Sequence, residues 1–423
     1  MSASMKAEAT DSNAIAGMAR AARIAARTLA QSPTALRDKA LWAAANALRE
    51  QQNAILEANA KDLAAYTGSD AFRDRLTLTA ERVEGMAKGL EDMADLSDPV
   101  GRILTEWTRP NGLKIRRVAT PIGVLGVIYE SRPNVGADAA GLCIKSGNAV
   151  ILRGGSESFH SAQAIHAAMA TGLEAAGLPV DAVQVAPSVD RKHVADMLVA
   201  SGLIDLIIPR GGKSLVERVQ NEARIPVLSH AEGLCHTYIH AAAEPQMARR
   251  VLANAKMRRP GICGSTETLL IDNAIASELL PGIVSDLREL GCDFRADERA
   301  RHIVPGLEPA ADEDFATEWL APVLSIAVVD GVEAALAHIA RYGSGHTEAI
   351  ITSDEAVATR FLNGTDSAVV MWNASTQFCD GGEFGFGAEI GIATGRIHAR
   401  GPVGLEQLTT FRYEVIGTGQ TRS

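Results

Sequence analysis

The chain has 423 residues, 47% of them hydrophobic, and this length predicts two or three domains that each bury a core. The formal net charge is −10 and the aromatic content only 4%, so we expect no nucleic-acid partner, since nucleic acid requires a basic face and stacking side chains. No segment is apolar enough to span a membrane, and residues 1–30 are charged throughout, without an apolar signal core. We therefore expect a cytoplasmic protein with no membrane contact.

The first quarter of the chain is predicted to be helical. Residues 14 to about 95 are rich in alanine, leucine, lysine and glutamate, and apolar residues such as Leu41, Ala45 and Leu48 recur at three- and four-residue steps. From about Leu113 the pattern changes. Lys114–Val118 alternates like a half-exposed strand, and the apolar run Ile122–Tyr129 favours a strand buried on both faces of a parallel sheet.

Strands and helices alternate in the middle of the chain, which predicts a doubly wound sheet of the Rossmann type. The predicted strands are Ala149–Leu152, Val183–Val185 and Leu203–Ile208, and the helices that follow them are Ser158–Ala176, Arg191–Ser201 and Lys213–Glu222. The pattern starts again after Thr237–Ile239, which indicates a second α/β domain. Its strands are predicted near Thr268–Ile271, Leu324–Val329 and Ala349–Thr352. The tail, Leu408–Ile416, is predicted to be a strand without a local partner.

The expected phosphate motifs are incomplete. No GxGxxG follows a predicted strand, and Arg210–Ser214 ends like a Walker A loop but has Ile207 at the position of the first glycine. This loop and Arg153–Glu157 both follow strands and precede helices, so their amides either face a phosphate or form plain turns. We predict no metal site, because His236 and His240 are too far apart on a strand to chelate.

Five cysteines lie far apart in the chain without a CxxC pair, which is typical of reduced thiols. A cysteine without further signals is best interpreted as a small buried hydrophobe, and Cys292 is predicted at a surface turn. Cys263 differs because glycines lie close on both sides of it. Three cations precede it, and a positive potential favours the thiolate. These cations are Lys256, Arg258 and Arg259. Cys263 is therefore the candidate nucleophile.

Several motifs resemble known enzymes. The Cys263 loop, Pro121–Val124 and Glu318–Val323 resemble the aldehyde dehydrogenase superfamily. Within it, the chain is most similar to the γ-glutamyl phosphate reductases over nearly its whole length, to about Gly417. The motifs that carry this closer resemblance are Asp74–Val83, Tyr129–Val135, Ile151–Glu157 and the stretch from Val332 to Ile350.

The resemblance implies an aldehyde dehydrogenase-like α/β fold with three parts. These are a Rossmann-type cofactor domain (residues 1–112 and 128–234), an α/β catalytic domain (235–392) and a small oligomerisation β element (113–127 and 405–423). The element would join the strand near Leu113–Ala119 to the C-terminal strand. An exposed edge strand is best satisfied by a partner chain, so we expect a homo-oligomer.

The resemblance also implies the reaction, the NADPH-dependent reduction of L-glutamyl 5-phosphate to L-glutamate 5-semialdehyde and phosphate, the second step of proline biosynthesis from glutamate. The Cys263 thiolate would form a thioester, and the amide of Cys263 and the side chain of Asn134 would stabilise the oxyanion. The cofactor residues implied are Arg153, Gly211, Gly212 and Glu318. A cation at Arg153 favours NADP(H). Glu318 matches the glutamate that holds the nicotinamide ribose in relatives, with a plain surface carboxylate as the alternative.

The remaining implied residues concern the substrate. His230 stands where hydrolytic relatives carry a water-activating glutamate, which fits a phosphate acceptor, although Glu232 is only two residues away. His230 is a candidate for substrate phosphate or a structural residue. His346, Glu348 and Arg259 are candidates for binding the substrate, with loop support as the alternative for the first two.

Three competing interpretations stay open. A hydrolytic aldehyde dehydrogenase would oxidise its aldehyde to a free acid without phosphate. A catalytically silent relative would bind the cofactor without turnover, although the intact Cys263 loop and Glu318 argue against it. A contact with glutamate 5-kinase would channel the labile acyl phosphate, and nothing in the sequence tests this.

Overall fold

The computed structural model describes residues 14–130, 132–229 and 232–422. They divide into two compact units. The first comprises the described residues of Met1–Ser229, Gly385–Gly391 and Val403–Ser423, and the second those of His230–Phe384 and Ile392–Pro402. Gly385–Gly391 falls inside the predicted catalytic domain but groups with the first unit. The reason is backbone hydrogen bonding to Val403, which belongs to the first unit. The amide of Ile390 donates to the carbonyl of Val403 (2.9 Å), and the amide of Val403 donates to the carbonyl of Gly391 (2.7 Å).

The described N-terminal region is helical, as predicted. Its helices are α1 (Ala14–Gln31), α2 (Thr34–Glu50), α3 (Gln52–Ala65), α4 (Asp70–Leu76) and α5 (Ala80–Asp95). Two of them begin with side-chain caps, because Ser69 accepts from the amide of Phe72 and Thr79 from that of Arg82. Such caps satisfy amides that have no partner within the helix.

The first unit contains a parallel four-stranded sheet in the order β5-β4-β3-β6. The strands are β3 (Val124–Tyr129), β4 (Ala149–Arg153), β5 (Val183–Val185) and β6 (Leu206–Arg210). Both β3 and β4 are buried along their whole length, as the apolar runs predict. The helices that follow them are α6 (Val135–Lys145), α7 (Phe159–Ala176), α8 (Lys192–Leu198) and α9 (Lys213–Glu222). The predicted Rossmann-type alternation is therefore present.

A separate antiparallel sheet of three strands has the order β1-β2-β16, with β1 (Ile103–Thr108), β2 (Lys114–Pro121) and β16 (Thr409–Ile416). The tail strand thus pairs with β2 of its own chain, from Thr409 opposite Pro121 to Ile416 opposite Lys114. The predicted domain boundaries cut across these pairings. Strand β1 lies within the predicted cofactor domain and pairs with β2, and residue 127 lies inside β3, which pairs with β4 and β6.

The second unit contains a parallel seven-stranded sheet in the order β10-β9-β11-β8-β7-β12-β13. Its strands are β7 (Cys235–Ile239), β8 (Thr266–Asp272), β9 (Asp293–Ala296), β10 (Glu308–Pro309), β11 (Val323–Val329), β12 (Thr347–Ile351) and β13 (Val369–Trp372). Its helices are α10 (Pro245–Met257), α11 (Asn273–Glu289), α12 (Glu298–Ile303), α13 (Gly331–Tyr342) and α14 (Glu355–Gly364). A short antiparallel pair, β14 (Ile392–Ala393) and β15 (Gly401–Pro402), completes the unit.

Apolar cores cover both faces of the seven-stranded sheet. Leu269 and Ile271 of β8 pack into one core with α10 and α11, whereas Leu270 packs into another with α13 and α14. Successive side chains of a strand point to opposite faces, so a continuous apolar run supplies both cores. This double burial fixes the strands and thereby the loops at their ends.

Candidate active site

Four loops meet at one edge of the seven-stranded sheet. They precede β7, β8, β11 and β12, and they carry Gly233, Cys263, Leu320 and His346. Because these strands are parallel, their amino ends lie at the same edge. Residues that are far apart in the sequence are thereby brought around Cys263, the partly exposed cysteine among the five.

The backbone of Gly233 lies directly against Cys263. A methyl group on Gly233 would lie 2.2 Å from the carbonyl oxygen of Cys263 and 2.7 Å from its Cα and Cβ. Atoms at such distances overlap, so only glycine fits beside the thiol-bearing residue. Cys235, two residues further along, donates its Sγ hydrogen to the same carbonyl at 3.1 Å. The Cys263 loop is therefore held by the chain that enters β7.

Glu318 reaches this contact from another loop. Its Oε1 accepts a hydrogen bond from the amide of Gly233 at 2.9 Å. Trp319 donates its indole N–H to Ser325 at 3.1 Å, and Leu320 adopts a left-handed backbone with φ of 48°. A carboxylate predicted to hold a cofactor ribose is thus joined through Gly233 to the Cys263 loop.

The three cations that precede Cys263 differ in their surroundings. Lys256 is fully buried and its Nζ lies 2.5 Å from Oε2 of Glu267, which is buried as well. Burial raises the pKa of Glu267 to about 7, while Lys256 opposes that shift. Lys256 is thus paired with a carboxylate of the protein, and its effect on the Cys263 thiol stays a prediction. Arg258 and Arg259 are exposed.

Two further cysteines, Cys235 and Cys379, lie near Cys263. Cys379 and Cys263 both pack against the small apolar cluster around Ala349 and Met371, and Cys235 is fully buried. Burial raises the pKa of the Cys235 thiol, and the charge of Glu348 acts in the same direction. Cys292, predicted at a surface turn, is buried because its side chain packs into the core beside α11. Only Cys263 among the five is partly exposed.

The substrate candidates fall into two groups. Glu348 is fully buried, and its Oε2 accepts from the amide (2.8 Å) and the Nδ1 (2.9 Å) of His236. His346 is buried too, with Nδ1 2.9 Å from Oγ1 of Thr347 and 3.5 Å from Sγ of Cys235. Both residues stabilise the strand edge beneath the thiol. By contrast, the Arg259 side chain is exposed, and His230 lies outside the described residues.

One residue that holds the Cys263 loop has no signal in the sequence. Gln377 donates its side-chain amide to the carbonyls of Ala255 (3.0 Å) and Arg259 (3.3 Å). It lies in a short 3-10 helix, Thr376–Phe378, more than one hundred residues after the loop. Only the folded sheet brings these segments together.

The predicted site residues of the first unit, one oxyanion candidate and three cofactor candidates, lie at the carboxyl edge of its sheet, where ligands of such folds bind. Asn134 follows β3, Arg153 ends β4, and Gly211 and Gly212 follow β6. Asn134 donates its side-chain amide to Asp138 at 3.1 Å, and burial raises the pKa of Asp138 to about 6.

Among these residues, Arg153 fits an anionic group of the cofactor. Arg153 is buried, and its Nε has no hydrogen-bond partner among the described residues. A buried unpaired guanidinium N–H is costly, which favours an anionic ligand there. The Gly212 amide differs, since it donates to Glu130 at 2.9 Å. The glycine pair is thus engaged by a carboxylate of the protein itself.

Comparison with known proteins agrees with this geometry. The model of the aldehyde dehydrogenase family matches residues 2–303. The γ-glutamyl phosphate reductase of Gluconobacter oxydans is 71% identical over 408 residues, 96% of each chain, and that of Acidiphilium cryptum is 68% identical over 401 residues, 95% of this chain and 96% of the relative. A solved γ-glutamyl phosphate reductase from Thermotoga maritima superposes with a TM-score of 0.95 at 41% identity, covering 97% of this chain and all of that one.

The fold is that of an aldehyde dehydrogenase-type oxidoreductase, an enzyme class that uses a nicotinamide cofactor. At the identities just given, the chain belongs to the γ-glutamyl phosphate reductases within that family. The resemblance seen in the sequence and the predicted fold class are confirmed. Within the described residues, no helix combines the length and apolar character that crossing a bilayer requires.

Proposed function

We propose that the chain reduces L-glutamyl 5-phosphate to L-glutamate 5-semialdehyde and phosphate through a thioester on Cys263, with NADPH as the reductant. The observation that carries this proposal is the Cys263 loop, in which a partly exposed thiol is packed against Gly233 and joined to Glu318. Its relatives in Gluconobacter oxydans and Acidiphilium cryptum bear the name of this activity.

In the proposed reaction the Cys263 thiolate attacks the acyl carbon, and phosphate leaves. A thiolate suits this step because it is both a soft nucleophile and a good leaving group. When bound, NADPH would supply the hydride that reduces the thioester to a thiohemiacetal on Cys263. The carbon–sulfur bond then breaks, which releases the aldehyde and returns Cys263 as thiolate for the next turnover. The amide of Cys263 is the proposed oxyanion donor, and the same role for Asn134 stays a prediction.

We propose Arg153 as a cofactor residue of the first unit and, on separate grounds, Glu318 as a cofactor residue of the second. The unpaired, buried Nε of Arg153 supports an anionic group such as the 2′-phosphate of NADPH. Glu318 offers a carboxylate for ribose hydroxyls. Gly211 and Gly212 are weaker candidates, because Glu130 accepts from the amide of Gly212 and a methyl group on Gly211 would lie 2.4 Å from the same carboxylate.

The substrate residues are proposed with different roles. We assign His346 and Glu348 to positioning, since both are buried and hydrogen-bonded within the sheet edge. Arg259 is proposed to attract the anionic substrate because it is exposed beside the Cys263 loop. The role predicted for His230 stays a prediction.

The decisive assay is reduction of NADP⁺ with glutamate-5-semialdehyde, with and without phosphate. We expect NADPH formation that depends on phosphate or arsenate and disappears in Cys263→Ala, with Cys292→Ala as the matched buried-thiol control. Activity that ignores phosphate would favour the hydrolytic aldehyde dehydrogenase. Activity that survives Cys263→Ala would overturn the assignment of the nucleophile.

Three points about the cellular setting complete the proposal. We propose a cytoplasmic homo-oligomer that associates through the sheet of β1, β2 and β16. Contact with glutamate 5-kinase would protect the acyl phosphate from hydrolysis. A pull-down with the kinase tests the last point, and absence of binding with or without the substrates of the kinase would contradict it.

A further inference from the structure

The ion pair of Lys256 and Glu267 lies buried beneath the Cys263 loop and is not used by the proposed chemistry. The two side chains are 0% and 1% exposed, and their charged atoms are 2.5 Å apart. Replacing a buried ion pair with apolar residues is often neutral or stabilising, so such a pair is weak evidence for a role in stability. Its contacts indicate another role.

Glu267 has a second partner. While Oε2 contacts Lys256, Oε1 accepts a hydrogen bond from the amide of Leu320 at 3.3 Å. Leu320 has φ of 48°, a left-handed conformation that side chains other than glycine and asparagine rarely adopt. The surroundings must hold such a residue in place, and Glu267 is the side chain that binds its amide.

The same contacts form a closed ring. Lys256 lies at the end of α10, its carbonyl accepts from Ser265 at 3.3 Å, and Ser265 is two residues after Cys263. From Glu267 the ring passes through Leu320 to Glu318, and from Glu318 through the amide of Gly233 back to Cys263. The loop of Glu318 is thus fixed at two points, Gly233 and Glu267.

We propose that Glu267 is a positioning residue for the cofactor: by binding the amide of Leu320, it sets the place of the Glu318 carboxylate relative to the Cys263 loop. This inference rests on the proposed role of Glu318 in holding the nicotinamide ribose. Glu267 itself is buried behind the loop and acts through Leu320. Its loss should weaken binding of NADPH rather than the reactivity of the thiol.

Two paired substitutions isolate the hydrogen bond. Lys256→Met with Glu267→Gln removes both charges and keeps an acceptor for Leu320, whereas Lys256→Met with Glu267→Met removes the acceptor as well. The Kd of NADPH is measured by fluorescence titration without substrate. We expect the Met pair to bind NADPH about fivefold to tenfold more weakly than the Gln pair, as the loss of one hydrogen bond predicts. The rate at which iodoacetamide alkylates Cys263 should be equal in both.

A second background separates positioning from general structural support. With Glu318→Ala added, exchanging Gln for Met at position 267 should no longer change the Kd of NADPH. A change that persists there, or equal Kd values for the two pairs when Glu318→Ala alone weakens binding, would overturn the inference. Unchanged affinity in Glu318→Ala alone would overturn the proposed role of Glu318 and the inference with it.

A single substitution covers the case in which the Met pair does not fold. Glu267→Gln alone keeps the acceptor for Leu320 but leaves Lys256 without its counter-charge, so it should lower the melting temperature while preserving the affinity for NADPH. Affinity lost together with stability in this variant would contradict the positioning role.

Discussion

Gly233 is the residue on which the geometry of the thiol loop most directly depends. We predict that Gly233→Ala lowers kcat at least tenfold, because the new methyl group would lie 2.2 Å from the carbonyl oxygen of Cys263 and must displace the loop. A loop shift of about 1 Å is enough for a loss of this size or larger. Steady-state kinetics measure the effect.

The matched control is Gly261→Ala in the same loop as Cys263. A methyl group there would have the carbonyl oxygen of Leu320 as its nearest neighbour at 3.7 Å, an ordinary contact. We expect nearly unchanged kcat. Equal losses in both variants would show that the loop tolerates no added methyl group, and would contradict the specific role of Gly233.

The five thiols should differ sharply in reactivity. We predict that iodoacetamide modifies Cys263 first in the native protein, because the other four are buried and burial raises the pKa of Cys143, Cys235 and Cys292, the last to about 12. Mass spectrometry of tryptic peptides after brief labelling gives the order. Labelling of Cys379 before Cys263 would contradict the prediction.

At the scale of residues, the sequence predicts Cys263 as the nucleophile but not the side chains that hold its loop. Glycines close to Cys263 mark an accessible thiol within one short motif. Lys256 has the same local signal as Arg258, yet it is buried against Glu267, since only the packing of α10 on β8 decides which cation is paired. Gln377 has no local signal at all.

At the scale of elements, alternating strands and helices predict both parallel sheets, because fully buried strands have unbroken apolar runs. Strand β1 is not predicted, because it has no such apolar run. Its residues are mostly exposed, so no alternation marks it, and only its pairing with β2 makes it a strand. The predicted strand Ile122–Tyr129 begins two residues before β3. Between β2 and β3 the chain passes through Gly123, which has φ of 134°.

Helix α13 carries a titratable side chain into an apolar setting. Burial lowers the pKa of His338 to about 3, and His236 and Arg341 act in the same direction. The unfolded chain binds this proton near pH 6.5 and the folded protein only near pH 3. The contribution of His338 to stability is therefore complete above pH 6.5 and is lost as the pH falls towards 3, with a slope of at most about 1.4 kcal/mol per pH unit.

We predict that His338→Phe makes the free energy of unfolding less dependent on acid. A phenylalanine ring fits there, because the rings of Phe315 and Tyr342 already contact His338, with ring centroids 5.1 and 4.6 Å away. Urea unfolding at several values between pH 6.5 and 4.5 should show the variant gaining about 1 to 2 kcal/mol on the wild type as the pH falls. Parallel curves for the two proteins would contradict the buried, neutral histidine.

At the scale of the whole molecule, the sequence resemblance predicts the fold class and the family, which the comparisons confirm. The domain boundaries stay predictions, and the two compact units follow pairings that the sequence does not mark. Gly385–Gly391 returns to the first unit through backbone pairing with Val403, a contact between segments that no local pattern marks. The assignment of roles to the domains stays a prediction.

The sheet of β1, β2 and β16 has an exposed apolar face that could mediate association with further copies of the chain. One face carries Trp107, Phe411, Tyr413 and Val415, which are 37%, 44%, 58% and 58% exposed. Trp107 and Val415 lie opposite the same residue of β2, so these apolar side chains share that face. Among the described residues, β1 and β16 each pair with β2 alone. Apolar patches flanked by free strand edges are typical of association surfaces.

We predict that the wild type is a homo-oligomer and that Tyr413→Lys with Val415→Lys lowers its mass, because two charges would be buried without partners in the interface. Light scattering at micromolar concentration measures the mass. The control is Ile24→Lys, which changes an apolar residue that is 68% exposed on α1 and should leave the mass unchanged. A wild-type mass near that of one 44.6 kDa chain would contradict the predicted assembly. A smaller mass in the Ile24 control would show that association depends on other surfaces as well.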